Sequence, residues 1–159
     1  RKSIELLRPS IKIPLLRKDF IVEEEQVYES RALGADSFLL ICAALDKNKL
    51  SDLIAIGRAF NMEPLIEIHD FEELESANFA NAKIIGVNSR NLRTFVTDLK
   101  NAYDLIKDIP SEKIKVAESG IKSDKDAIAL YSAGYDAILV GEFFMKSGPD
   151  NIKKINEAC

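Results

Sequence analysis

The feature that most restricts this chain is an alternation. Short, nearly continuous apolar runs at residues 13–16, 37–42, 64–68, 83–87, 114–117 and 137–140 are separated by segments with helical spacing. Runs that are apolar at almost every position, instead of every second one, are expected of strands buried on both faces. Between them, Leu50, Leu53, Ile54 and Gly57 fall at i, i+3, i+4 and i+7, and so do Leu99, Ala102, Tyr103 and Ile106. Each set predicts a helix with one face to lay on a sheet. Strands alternating with helices require a parallel sheet, because a strand–helix–strand crossover returns the chain in its original direction.

The punctuation between elements agrees with this reading. Gly34 and Gly134 suit the left-handed position that ends a helix, and each opens a similar phrase: Gly34-Ala35-Asp36-Ser37-Phe38-Leu39-Leu40 and Gly134-Tyr135-Asp136-Ala137-Ile138-Leu139-Val140. Ser123 with Asp126 is spaced to cap a helix start. A doubly wound sheet would keep its ligand loops near one switch point, whereas polar residues here crowd the C-terminal end of almost every strand, as in a (β/α)8 barrel. Closing such a barrel takes eight strands, and residues 1–8 read as the tail of a helix. The expected fold is therefore α/β, a (β/α)8 TIM barrel that is incomplete, with about six parallel strands. Residues 1–159 are expected to form a single domain, the C-terminal part of a barrel lacking its N-terminal two strand–helix units.

Composition narrows the partners. With 47% hydrophobic and 30% charged residues the chain is typical of a globular protein. Its 26 acidic and 22 basic residues leave a formal charge of -4 with no basic block, which argues against a nucleic-acid surface. No apolar stretch approaches the roughly 20 residues that span a bilayer, so no membrane partner is expected. Cys42 and Cys159 lie far apart and form neither a disulfide framework nor a zinc cluster, which fits a cytoplasmic protein.

The strand ends carry the chemistry. After Leu15-Leu16, period-two alternation puts Lys18 on the face of Leu16 and Phe20, where an ammonium could donate a proton or bind an anion; the alternative is a solvated lysine past the strand end. Glu67 stands between two isoleucines, where a carboxylate is costly to bury unless paired or functional. His69 is the only histidine, and one histidine is no metal site. Asn88 and Arg90 share a parity, the amide able to orient a ligand and the guanidinium to hold a carboxylate, although Asn and Ser also build plain turns. Around Glu118-Ser119-Gly120 and Gly141-Glu142, glycine lets backbone N–H groups approach a ligand, and a helix start behind each turn favours phosphate. Glu142 is expected to bind through its N–H with its side chain turned away. Phe143, Phe144 and Met145 read as core.

Five segments together resemble the indole-3-glycerol-phosphate synthase family: Leu16-Arg17-Lys18-Asp19-Phe20-Ile21, Ile66-Glu67-Ile68-His69-Asp70, Gly86-Val87-Asn88-Ser89-Arg90-Asn91-Leu92, Ala117-Glu118-Ser119-Gly120-Ile121 and Leu139-Val140-Gly141-Glu142. The resemblance implies a carboxy-lyase of tryptophan biosynthesis that converts 1-(2-carboxyphenylamino)-1-deoxyribulose 5-phosphate to indole-3-glycerol phosphate, carbon dioxide and water. It implies Lys18 as the general acid of ring closure, Glu67 as the acid/base group of dehydration, and Asn88 as a further catalytic residue. Asn88 and Arg90 would position the anthranilate portion, Glu118 and Ser119 would line the pocket, and Gly120, Gly141 and the N–H of Glu142 would take the phosphate. The substrate partner would be a phosphorylated small molecule, with no cofactor and no metal. The family's first two strands, which carry another glutamate, a second lysine and part of the phosphate loop, have no counterpart here. The chain alone is accordingly expected to lack turnover and to be able to self-associate through open sheet edges. The competing expectations are another phosphosugar barrel, such as a phosphoribosyl isomerase, and a non-catalytic phosphate-binding fragment.

Overall fold

A computed structural model of the chain describes residues 2–91 and 94–147, together with Ile152, Lys153 and Ile155. Leu92 and Cys159 lie outside the described residues. The chain divides into two compact units, Arg1–Ile68 with Glu72–Ile84, and His69–Phe71 with Ile85–Cys159.

The first unit runs α1 (Lys2–Leu7), β1 (Leu16–Arg17), α2 (Glu24–Ala32), β2 (Ser37–Ile41), α3 (Lys47–Ala59), β3 (Leu65–Ile68) and most of α4 (Phe71–Phe79). Its strands pair in parallel and in chain order, with Arg17 opposite Phe38, Leu39 opposite Leu65 and Ile41 opposite Glu67. The first strand starts later than the apolar run at residues 13–16 suggests. Pro14 has no N–H to give a ladder, and the N–H of Leu15 is taken by the Asp36 carboxylate at 2.8 Å. Its core is built from Phe38, Leu40, Leu50, Leu53, Ile54, Met62, Ile66 and Ile68, all essentially inaccessible. Each such side chain contributes about 1.5–3 kcal/mol of burial free energy. Gly57 completes the expected face of α3 for a steric reason, since a Cβ there would lie 2.6 Å from the Phe38 ring.

The second unit holds β4 (Ile84–Asn88) save its first residue, α5 (Lys100–Leu105), β5 (Ile114–Glu118), α6 (Asp124–Ser132), β6 (Ala137–Leu139) and α7 (Glu142–Ser147). The strand β5 pairs in parallel with β6, Ala117 opposite Ile138. The repeated Gly-x-Asp phrase proves to be a repeated device. Gly34 and Gly134 take φ of 90° and 106°, and the aspartate two residues on caps the start of the neighbouring strand. Asp136 accepts from the N–H of Lys115 at 2.8 Å, just as Asp36 does from Leu15. Ser123 caps α6 as expected, accepting from the N–H of Asp126 at 3.2 Å.

Two sequence readings need correction. The buried face of α5 is Ala102, Leu105 and Ile106, while Leu99 and Tyr103 are only half-buried. Leu99 sits at the cap of a six-residue helix, and the helix is tied by Tyr135, whose buried hydroxyl donates to the carbonyl of Ala102 at 2.8 Å. Met145 is not core but 88% exposed. It shares the outer face of α7 with Glu142 and Lys146, an i, i+3, i+4 set whose two charges pair at 2.6 Å. Among the described residues no helix is long and apolar enough to cross a membrane, and no group of three or more His, Cys, Asp or Glu is placed to hold a metal ion.

Candidate active site

In the first unit the strand register dictates which side chains meet. Lys18 follows Arg17, which lies opposite Phe38, so Lys18 falls level with Leu39, and Leu39 lies opposite Leu65. Leu65 and Glu67 share a face by alternation. Lys18 and Glu67 are thus on the same face with one strand between them, a gap of about 10 Å across the sheet at ordinary strand spacing, with Glu67 two residues further along. An extended lysine stem spans it, and Nζ of Lys18 stands 3.2 Å from Oε2 of Glu67. Glu67 is 2% exposed and Lys18 is 48% exposed. The carboxylate expected to need a partner has a cation that also faces solvent, an arrangement that keeps a buried charge and leaves the ammonium reachable.

On the opposite face of the same strand end sits a charge cluster that the sequence reading did not single out. Arg17 is 3% exposed and pairs with Glu29 at 2.9 Å and with Asp19 at 3.2 Å. Burial acts to raise the pKa of the Asp19 carboxyl, but the hydrogen bonds from Arg17 and the N–H of Phe20, with the Arg17 charge, outweigh it and hold the group below the ordinary aspartate value. Arg17 follows the apolar run at residues 13–16 directly, so in the sequence it reads as the polar end of a strand, and only its burial shows that it needs partners.

In the second unit, the end of β4 folds back on itself. Asn88 is 7% exposed, and its Oδ1 accepts the N–H of Arg90 at 2.9 Å. The side chain thereby shapes a turn, as Asn commonly does, while remaining at the strand end. The N–H of Ser89 donates to the carbonyl of Glu118 at 2.9 Å, which brings the ends of β4 and β5 together. Glu118 is fully buried. Ser119 and Gly120 follow with φ of 63° and 76°, a tight reversal that costs a non-glycine residue of the order of 1 kcal/mol. A Cβ on Gly120 would press on Leu99 at 3.2 Å, so glycine is required there by both conformation and space. Around Gly141 a Cβ would meet nothing within 4 Å, so this glycine faces open space. Glu142 turns its carboxylate along α7 to Lys146 and lies 3.8 Å from Nη2 of Arg90. The hydrogen bond and charge of Lys146 hold its carboxyl below the usual glutamate range. His69 contributes its backbone, its carbonyl accepting from Asn101 Nδ2 at 2.9 Å.

The structure therefore brings Lys18 together with Glu67 in one unit. In the other it brings Asn88 together with Arg90, Arg90 with Glu142, and the end of β4 with Glu118.

Comparison with known proteins places these residues in context. The family model for indole-3-glycerol phosphate synthase matches residues 1–157. Proteins named indole-3-glycerol phosphate synthase from Caldanaerobacter subterraneus and Endomicrobium trichonymphae are 48% and 46% identical, over 89% and 92% of this chain. One from Streptomyces griseus is 49% identical over 88% of it. The chain spans about half the length of these relatives, 55%, 57% and 52% respectively. Among solved structures, a FabK mutant from Thermotoga maritima superposes with a TM-score of 0.73 at 15% identity, over 92% of this chain and 49% of that one. KGPDC from Streptococcus mutans gives 0.69 at 16% identity, over 96% of this chain and 78% of that one. At such identity these two speak for the fold alone, which is the α/β class of TIM barrels, with six parallel strands alternating with helices.

Proposed function

Since this chain belongs to the indole-3-glycerol phosphate synthase family, we propose that it carries the C-terminal part of the active centre of that carboxy-lyase, with residues 1–159 forming one domain of an incomplete barrel. The reaction is ring closure and decarboxylation of 1-(2-carboxyphenylamino)-1-deoxyribulose 5-phosphate to indole-3-glycerol phosphate, carbon dioxide and water. The observation that carries this reading is the Lys18–Glu67 pair, an ammonium 3.2 Å from a buried carboxylate. A carbonyl that must accept electrons needs a proton donor at its oxygen, and a positioned ammonium supplies one. Lys18 is the general acid, with Glu67 holding it and serving the dehydration step.

Asn88 serves as a further catalytic group, positioning the anthranilate portion. Arg90 takes the anthranilate carboxylate, whose arrival would replace the contact Arg90 makes with Glu142, and Glu118 and Ser119 line the pocket. The N–H groups around Gly120, Gly141 and Glu142 take the phosphate. The phosphorylated substrate is the only partner this reading requires, with neither nucleic acid nor membrane, and the protein works in the cytoplasm without a cofactor.

Two measurements test the reading. The 159-residue chain alone should form no fluorescent indole product; measurable turnover by it would refute the incomplete-centre part of the proposal. Joined to the N-terminal segment of the Caldanaerobacter relative, it should form product, and Lys18→Met should abolish that product while leaving phosphate affinity intact. Equal rates in parent and variant would remove Lys18 from its assigned role. Isomerase activity without ring closure would favour the phosphoribosyl isomerase reading instead.

Self-association is favoured by one observation. In β6, Ala137 is exposed and Ile138 and Leu139 are half-buried, whereas every residue of β3 is buried. Among the described residues β6 ends the sheet order and pairs with β5 alone, so this poorly covered apolar strand offers a pairing edge. Sedimentation should show concentration-dependent association that charged substitutions at Ala137 weaken; a strictly monomeric parent at all concentrations would dismiss it.

A further inference from the structure

Lys18 lies just beyond the last paired residue of a strand only two residues long. So short a ladder cannot by itself fix the direction of the chain that follows it. Yet the lysine stem must reach across an intervening strand to bring Nζ within 3.2 Å of Glu67, so a displacement of its backbone would break the pair.

What holds the strand end is Arg17, on the opposite face. Its Nη1 donates to the carbonyl of Gln26 at 3.0 Å and to Ser30 Oγ at 3.1 Å, both on α2. Its Nη2 reaches Asp19 at 3.2 Å and Glu29 at 2.9 Å. The Ser30 hydroxyl is itself fixed by donating to the Gln26 carbonyl at 2.6 Å. From the other end of the loop, the Gln26 side chain accepts from the N–H groups of Val22 and Glu23 and donates to the carbonyl of Phe20, at 2.8, 3.0 and 2.8 Å. Asp19 accepts from the N–H of Phe20 at 2.9 Å. Residues 17, 19, 20, 22 and 23 are thus each tied to α2 or to one another. Lys18, in their midst, sends its side chain the other way.

We infer that Arg17 is a positioning residue, whose buried guanidinium clamps the end of β1 to α2 and thereby sets the reach of Lys18 to Glu67. A planar fork with several fixed donors can bridge a carbonyl, a hydroxyl and two carboxylates at once; a lysine, as a point charge, cannot. The functional meaning of the clamp rests on the reading of Lys18 as the acid, but the clamp itself is a matter of geometry and is tested as such.

Carbodiimide joins an amine and a carboxylate held at ion-pair distance, and peptide mass spectrometry counts the product. In the 159-residue chain the Lys18–Glu67 amide is compared with the Lys83–Glu63 amide of the same unit, whose partners also lie 3.2 Å apart. Arg17→Met should lower the Lys18–Glu67 yield about tenfold, the scale set by losing charge-assisted hydrogen bonds, and leave the Lys83–Glu63 yield unchanged. A merely structural role would move both together or neither. An unchanged Lys18–Glu67 yield in Arg17→Met overturns the inference. Should both yields collapse because the variant does not fold, Ser30→Ala and Asp19→Asn, each removing one tie, decide the matter: selective loss at Lys18–Glu67 supports the clamp, and no selective loss refutes it. Because the yield reports the pair's separation and the reagent's access to Glu67, and not turnover, the clamp can fail while the catalytic role of Lys18 stands, and the reverse.

Discussion

Replacing Lys18 by methionine keeps most of the stem and removes the charge that stands 3.2 Å from the buried Glu67 carboxylate. Breaking a fully buried ion pair costs about 3–5 kcal/mol because one charge is stranded, whereas a fully exposed pair is worth about 0–1 kcal/mol. Here one partner is 2% exposed and the other 48%, which sets the expected loss between these limits, at about 2 kcal/mol. With a urea m-value of about 2 kcal/mol/M this moves the midpoint down by about 1 M at unchanged slope. For a chain of this size it lowers Tm by about 4–8 °C.

The signature of the cause is the double variant. If the loss comes from a buried carboxylate that no longer has the Lys18 charge beside it, Glu67→Gln in the Lys18→Met background should recover about 1 kcal/mol or more, a coupling of the size expected for groups in contact. Circular dichroism through urea titrations of the four proteins supplies the cycle. Additive losses, or a Lys18→Met midpoint equal to the parent's, would show that Lys18 does not stabilise the buried charge and would undo the argument from register to ion pair.

Acid should destabilise the first unit through specific carboxylates. The N–H of Leu15 and the charge of Arg8 hold the Asp36 carboxyl below its ordinary value, and at Glu63 burial is outweighed by Arg58 and Lys83 with the same net direction. Because a lowered folded-state pKa means that the unfolded chain binds more protons, this stabilisation is complete above about pH 4–5 and is lost as pH falls through the folded values. Urea midpoints from neutral to strongly acid pH should fall in that window, less steeply for Asp36→Asn; an identical profile for the variant would remove Asp36 from the account. Gly57→Ala offers a packing test in which helix propensity and space disagree. Alanine gains about 1 kcal/mol in a helix, but its Cβ would lie 2.6 Å from the buried Phe38 ring and 3.0 Å from the Met62 carbonyl. Overpacking of about 1–3 kcal/mol should win, and a thermal melt at or above that of the parent would show that the core yields more easily than the geometry implies.

Much of this protein is local and therefore legible in the chain. Apolar runs mark the strands, Gly34 and Gly134 stop helices because their left-handed backbone tolerates no ordinary side chain, and Ser123 starts one because its hydroxyl is the right length to reach an N–H. The five segments at the strand ends were enough to identify the family. Alternation alone put Lys18 and Glu67 each at a strand end.

Tertiary structure decided what those segments meet. Alternation does not fix which rung of β1 faces which rung of β2, and it is that register, with β3 in turn, that lets Nζ of Lys18 arrive 3.2 Å from Glu67. The burial of Arg17 belongs to the same level, since a single charged residue beside an apolar run looks like a strand end until α2 closes over it. The outward turn of Met145 was hidden for the converse reason. An apolar side chain is buried only where another element comes to cover it, and local sequence says nothing of that.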